Sequence, residues 1–232
     1  WSIFWGVGHP MTPRSFVRNF FSLDSPKGTA GLGTNDPGDR KGGFDFRYRL
    51  PGPLNWMTLY TDSYSDDDPS PLAAPRHAAM TPGLYVARVP GLPRLDLRAE
   101  VSSTRPFAID RGGQFVYFNS EYRSGNTNYG YLLGSPVGRD GRAFQGWARY
   151  WFSPRARLEF SYRQHKGSGW RFLAGGSTQT DGMLTAYLPL GEQWEAAVNV
   201  QVERYRVPLL GGPERNASAW FSLTWRPKLA LF

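Results

Sequence analysis

Two stretches near the end of the chain repeat with a period of two, and no other feature restricts the fold as tightly. From Trp194 to Arg204 the residues Trp194, Ala196, Val198, Val200 and Val202 are apolar, with Glu195, Asn199, Gln201 and Glu203 between them. From Ala217 to Trp225 the pattern recurs, with Ala217, Ala219, Phe221, Leu223 and Trp225 set against Ser218, Ser222 and Thr224. Successive side chains of an extended strand point to opposite faces, so each stretch reads as a strand with one apolar and one polar face. The link between them, Val207 to Asn216, is rich in Gly and Pro, and the chain ends on Phe232. Long two-faced strands with aromatic ends predict an all-β fold, an antiparallel transmembrane β-barrel.

Composition agrees with this where a helical membrane protein would not. Mean hydropathy is −0.48, and no stretch approaches the ~18 uninterrupted apolar residues that a membrane helix needs. Only alternate residues of a barrel strand meet lipid, so a low average is expected. Aromatics make up 16% of the 232 residues, with nine Trp and twelve Tyr, which suits belts at two membrane interfaces. Cysteine is absent, which excludes a disulfide scaffold and zinc-thiolate chemistry. The net charge of +8 favours polyanionic partners. Acidic polysaccharide and lipopolysaccharide phosphates rank ahead of nucleic acid, for which there is no basic run or recognised motif.

Taken in order, Trp1, Ile3, Trp5 and Val7 alternate with Ser2, Phe4 and Gly6. The chain is therefore expected to open inside a strand, as the C-terminal portion of a longer polypeptide. Residues 1–232 are expected to form one barrel domain with no separate soluble domain. A long connection follows from His9 to Gly42, with a helical turn or apolar cluster at Phe16, Val17, Phe20 and Phe21. Strands are expected at 43–50, 56–63, 83–89, 95–102, 114–122, 129–134, 142–152, 158–165 and 182–188, before the final two. That is about twelve strands, near the ~9–11 residues that a tilted strand needs to span a bilayer. Short turns at 51–55, 90–93, 123–128, 153–156 and 189–193 alternate with longer loops at 8–42, 64–79, 105–113, 167–180 and 207–216. The short 135–141 link is the exception on the long-loop side. Bacterial outer-membrane barrels have short periplasmic turns and long outside loops. Trp56, Trp151, Phe152, Trp194 and Trp225 fall beside short turns or the C-terminus, where rings settle at the headgroups. A soluble β-sandwich with an aromatic core is the rival fold. It would more often show shorter strands at regular 8–12-residue spacing.

The polar strand faces carry mixed charge, including Asp45, Arg47, Asp96, Arg98, Glu100 and Glu159. One reading is a self-neutralising ladder between neighbouring strands; the other is a pore or an anionic-ligand groove. Catalysis finds no support in the residues. The three histidines are His9, His77 and His165. Ser161 lies ~13 Å from His165 along an extended strand, and no G-x-S-x-G elbow occurs. Asp66, Asp67 and Asp68 lack the ligand spacing of a calcium loop, so no metal or other cofactor is expected. Trp170 in a Gly-rich loop, beside Arg171, is the strongest ligand hint. A ring face can stack on a sugar while a guanidinium binds its carboxylate. Arg163, His165, Tyr64, Asp66 and Asp67 complete the candidate ligand-binding set at the long-loop end.

Three stretches carry a family resemblance. Asp39-Arg40-Lys41-Gly42-Gly43-Phe44-Asp45-Phe46-Arg47-Tyr48-Arg49-Leu50-Pro51-Gly52 is one, and Asp67-Asp68-Pro69-Ser70-Pro71-Leu72-Ala73-Ala74-Pro75-Arg76 is another. The third is Gly138-Arg139-Asp140-Gly141-Arg142 followed by Tyr150-Trp151-Phe152-Ser153-Pro154-Arg155. Together they resemble the capsule assembly Wzi family. The resemblance implies an eighteen-strand barrel, within the range that outer-membrane barrels span, with a lectin role at the bacterial cell exterior. On that basis this chain is the C-terminal two-thirds of a monomeric barrel. It is expected to sit in outer-membrane lipid and lipopolysaccharide, with its loops outward. It is expected to bind and anchor exported capsular or exopolysaccharide without catalysis. A porin or sugar-selective channel is the alternative.

Overall fold

The computed structural model describes residues 2–4, 12–14, 16–17, 39–66, 78–105, 116–118, 126–129, 131–167, 176–208 and 211–227. Thirteen strands are present among them. The first six are β1 (Ser2–Phe4), β2 (Asp39–Gly42), β3 (Asp45–Arg49), β4 (Met57–Asp66), β5 (Ala79–Val86) and β6 (Leu95–Ser103). Two short ones follow, β7 (Thr127–Asn128) and β8 (Tyr131–Leu132). The last five are β9 (Arg142–Trp151), β10 (Arg157–Lys166), β11 (Thr178–Pro189), β12 (Trp194–Arg206) and β13 (Glu214–Trp225). An eleven-stranded sheet runs in the order β1-β2-β4-β5-β6-β9-β10-β11-β12-β13, with β3 paired to β4; β7 and β8 form a hairpin of their own. The registers of β10 through β13 are antiparallel throughout. The sheet is open among the described residues, where β13 pairs with β12 alone.

By compactness the chain divides into two units. One comprises Trp1–Phe46, Thr61–Thr81 and Ser102–Arg142; the other comprises Arg47–Tyr60, Pro82–Val101 and Ala143–Phe232. In the first unit β1 pairs with β2, and β2 with the end of β4 through Lys41↔Asp66 and Gly42↔Ser65. Residues 39–42, expected to lie in a loop, are therefore strand, because β1 and β4 offer them backbone partners. The same pairing carries β4 on to Asp66, three residues beyond its expected end. A helical hydrogen bond of 2.9 Å joins the Phe16 N–H to the Thr12 carbonyl; Phe20 and Phe21 lie outside the described residues. The expected strand 114–122 is a turn where it is described, with Tyr117 at φ 61°. Tyr129, at φ 49°, turns the small β7–β8 hairpin instead of opening a strand. β6 and β9 are sheet neighbours, and the only strands described between them are β7 and β8, which stand outside the large sheet. Among the described residues, 123–128 is therefore not a short turn between neighbouring strands of the large sheet. The short-turn set becomes 51–55, 90–93, 153–156 and 189–193. Gly52, Gly91 and Gly191 there adopt positive φ of 61°, 82° and 82°, which costs glycine little.

In the second unit the faces sort in reverse of a soluble protein. The largest fully buried side chain is Asn199, and Thr185, Asp181 and Ser161 are at most 5% exposed. Val198, Val200, Phe221 and Leu223 are 40%, 47%, 65% and 50% exposed. A sandwich would bury these four between its sheets, so the rival fold is overturned. Apolar side chains of alternate residues stand on the free face of β10 to β13. On β10 to β12 the other face is largely polar and packs more closely, whereas on β13 it stays exposed and carries Trp220.

Glycine sets one close approach on the polar side. A Cβ at Gly83 on β5 would fall inside the ring of Tyr60 on β4. The ring lies across the neighbouring backbone and reaches β6 beyond it. Gly83→Ala is expected to lower stability by about 1–3 kcal/mol, as overpacking does. The same change in a Tyr60→Ala background should cost much less, a coupling read by denaturant unfolding of all four variants.

Candidate functional site

The polar face of the second unit is built by residues that find partners across strands. At its start the Tyr60 hydroxyl donates to Glu100 Oε1 at 2.7 Å, and Arg98 Nε donates to the same hydroxyl at 2.7 Å. Arg98 also pairs with Glu100. Its guanidinium lies 5.3 Å from the Tyr60 ring centre and 5.0 Å from that of Trp147 on β9. A weakly hydrated planar cation suits that position between ring faces.

The ladder continues strand by strand. Asp96 is buried and accepts from Trp151 Nε1 at 2.6 Å, with Arg149 at 3.8 Å. Arg149 donates to Glu159 on β10 at 2.6 Å. Arg163 binds one oxygen of Asp181 on β11 through Nε at 2.6 Å and a terminal nitrogen at 2.5 Å. Gln179 donates to the other oxygen at 3.0 Å, and Asn216 on β13 donates to Glu203 at 2.7 Å. Asn199 donates to Thr185 at 2.7 Å. Such charge-assisted bonds offset the desolvation of buried carboxylates. The self-neutralising ladder is therefore what the strands form. Aromatic rings are part of it: Arg157 stands 3.6 Å from the Tyr187 ring centre and 5.2 Å from that of Trp151.

Of the candidate residues, Arg163 and His165 share the polar face of β10, with His165 opposite Gln179 in the register. Ser161 lies on that face too and is 5% exposed. Tyr64 belongs to the other unit, where its ring centre is 4.9 Å from that of Tyr117. For Asp66 the backbone pairs with Lys41. Trp170, Arg171 and Asp67 lie outside the described residues. Among those described, no group of three or more His, Asp or Glu is arranged to hold a metal. In the loop of the first unit the Arg139 guanidinium sits 4.6 Å from the Phe118 ring centre. Desolvation by burial there lowers its pKa.

One expectation is corrected. Trp151 is not an interfacial anchor: its indole turns to the polar face and bonds Asp96, while Phe152 is exposed and packs 5.1 Å from Tyr150. Sequence reasoning also missed Tyr60, Trp147 and Arg149. Their alternation was available, since Gln145, Trp147, Arg149 and Trp151 share one face of β9, but aromatic residues on both faces hid it.

Arg163→Gln is expected to destabilise the fold by about 1–3 kcal/mol, because it leaves the buried Asp181 without its cation. Adding Asp181→Asn should restore most of the loss in a denaturant titration, whereas Asp181→Asn alone should not exceed it.

Among the described residues no helix is long and apolar enough to cross a membrane, which says nothing of crossing by strands. No curated protein sequence matches the chain. The structure matches that of Wzi from Escherichia coli with a TM-score of 0.66 and 16% identity. That match covers 84% of this chain and 44% of the other, so this chain spans under half of its length. The matched protein is described as an outer membrane protein involved in group 1 capsule assembly and a carbohydrate-binding β-barrel. The likeness gives this chain the fold of that barrel. The model of the family called capsule assembly protein Wzi matches residues 1–218, and the chain belongs to that family.

Proposed function

We propose that this chain forms the wall of a bacterial outer-membrane barrel that binds exported acidic polysaccharide and anchors it at the cell surface, without catalysing a reaction. Family membership supports the reading, as does the carbohydrate binding ascribed to the structurally similar Wzi. The observation that carries it is the two-sided wall. Its exposed face is apolar from Trp194 to Val202, while its polar face holds Arg98 between the rings of Tyr60 and Trp147. Hydrocarbon accepts the first face; the second combines stacking surface with cations, as recognition of an acidic sugar requires.

The long-loop end supplies the grip. Trp170 offers a ring face and Arg171 a guanidinium for a uronic acid or pyruvyl carboxylate. In the other unit Tyr64, Asp66 and Asp67 offer hydroxyl and carboxylate partners to sugar hydroxyls on their own account. Arg163 spends two nitrogens on Asp181 and keeps the rest of its five donors, with His165 beside it. None of this needs a nucleophile, and Ser161 is too far from His165 along the strand to serve one.

Two measurements test the reading. Retention of acidic capsular polysaccharide on the immobilised full chain should fall roughly tenfold in Trp170→Ala/Arg171→Ala, on the scale of a lost charge-assisted contact. Equal retention would remove the loop site, and bilayer conductance without retention would favour a channel. Val200→Arg, at mid-height of the apolar face, should cost about 2–4 kcal/mol of membrane-inserted stability, read by unfolding from lipid bilayers; a silent substitution would deny contact with hydrocarbon.

A further inference from the structure

The apolar face of the last four strands ends abruptly in cations. In the register, Tyr162, Gly182, Val202 and Ala217 form one cross-strand row. The next row toward the long loops is Gln164, Thr180, Arg204 and Arg215; above it stand Lys166, Thr178 and Arg206. Alternation puts these rows on the same face as Phe160, Val200 and Phe221, and all four cations are exposed. Neither row holds a carboxylate, since Glu203 and Glu214 turn to the opposite face with Tyr205. None of the four has an ion pair among the described residues.

Arg204 and Arg215 are directly opposed, about 5 Å apart at Cβ. Like charges so placed repel, and the sheet gives them no relief. Arg206 stands ~7 Å from Arg204 along its strand, and Lys166 is two strands from Arg206, ~10 Å away. The patch therefore spans about the width of one or two phosphate groups. Beneath it the apolar rows run from Val202 to Trp194, eight residue steps or ~27 Å of strand. With a tilt of ~40° that approaches the height of a barrel's apolar band. Greasy rows topped by arginine forks fit a molecule with acyl chains below and phosphate above. A soluble acid would have no use for the rows beneath.

We infer that the outer face of β10 to β13 is a binding site for the phosphorylated headgroup of an outer-leaflet lipid. Arg204 and Arg215 clamp the phosphate by bidentate bonds, Arg206 and Lys166 flank it, and the acyl chains lie along Val202, Val200 and Phe160. The inference rests on the barrel reading of the apolar face but not on polysaccharide binding, which uses the other face and the loops.

The test uses the full chain in detergent micelles, with bisphosphorylated lipid A, the same lipid without phosphate, and inorganic phosphate. Native mass spectrometry and thermal melting should show the bisphosphorylated lipid bound, weakening with salt, and the other two bound at least tenfold more weakly. Arg204→Gln/Arg206→Gln/Arg215→Gln should lose that lipid on the order of tenfold or more, while retained polysaccharide stays unchanged. Equal lipid binding by the variant, or equal effect of inorganic phosphate, overturns the site. Lost polysaccharide with lipid retained assigns the patch to the sugar and overturns it as well. If the triple variant does not fold, Arg204→Gln and Arg215→Gln are read singly by the same criteria, each expected to weaken the lipid severalfold. Failure of the wild-type chain to enter lipid at all overturns both this site and the barrel reading beneath it.

Discussion

Backbone pairing is the constraint on which the other features depend. A strand facing hydrocarbon must give every N–H and C=O to a neighbour, because no water is present to accept them. In β11, β12 and β13 this is met by unbroken registers, from Thr178↔Arg206 to Pro189↔Glu195 and from Trp194↔Trp225 to Tyr205↔Glu214. Once pairing is continuous, the face of each side chain follows from its position alone. A slip of one residue would turn Asn199 to the apolar side and Val198 to the polar side along with every neighbour. The register is pinned at the short turns, where Gly191 at φ 82° permits a tight reversal.

With the faces fixed, the polar side must solve a charge problem. No strand solves it alone. Asp96 is answered by Trp151 and Arg149 of β9, Glu159 by Arg149, Asp181 by Arg163, and Glu203 by Asn216. Each element supplies the counter-group of the next, so the ladder couples the strands sideways as backbone pairing does. This is why the buried side of the second unit is polar and still closely packed. The same ladder leaves Arg98, held by Tyr60 and Glu100, as a cation framed by rings.

The strand pattern was legible because period two is local. The apolar-face residues of β9, β10, β12 and β13 could be read from alternation, and so could the polar charges from Asp96 to Glu203. Pairing is not local, and there the reading failed. Residues 39–42 look like turn material until β1 and β4 are placed beside them. Residues 114–122 read as a strand with aromatics on both faces, yet Tyr117 takes a left-handed turn, with its hydroxyl accepting from the Ser135 N–H at 3.1 Å. Trp151 followed the rule that tryptophans near short turns anchor at the interface. It broke that rule because Asp96, 55 positions away, needed a donor. For the candidate site, Arg163 and His165 were legible as neighbours on one face, whereas the partner of Arg163 was not. Tyr60 was hidden because its reach depends on Gly83 across the strand.

The two ends of the apolar band differ for a reason that composition alone does not disclose. At the short-turn end Trp194 and Trp225 stack at 6.0 Å, and Trp225 donates to Gln193 at 3.2 Å. Rings of this kind bury a body and wet an edge, which on the proposed reading suits a diffuse, neutral boundary. At the long-loop end the same face changes within one row from Val202 and Ala217 to Arg204 and Arg215. Opposed arginines are a poor way to fix depth, since they repel unless an anion lies between them. On the proposed barrel reading, a wall bounded by aromatic residues on one side, and on the other by cations with no ion pair among the described residues, is matched to a bilayer whose leaflets differ in charge.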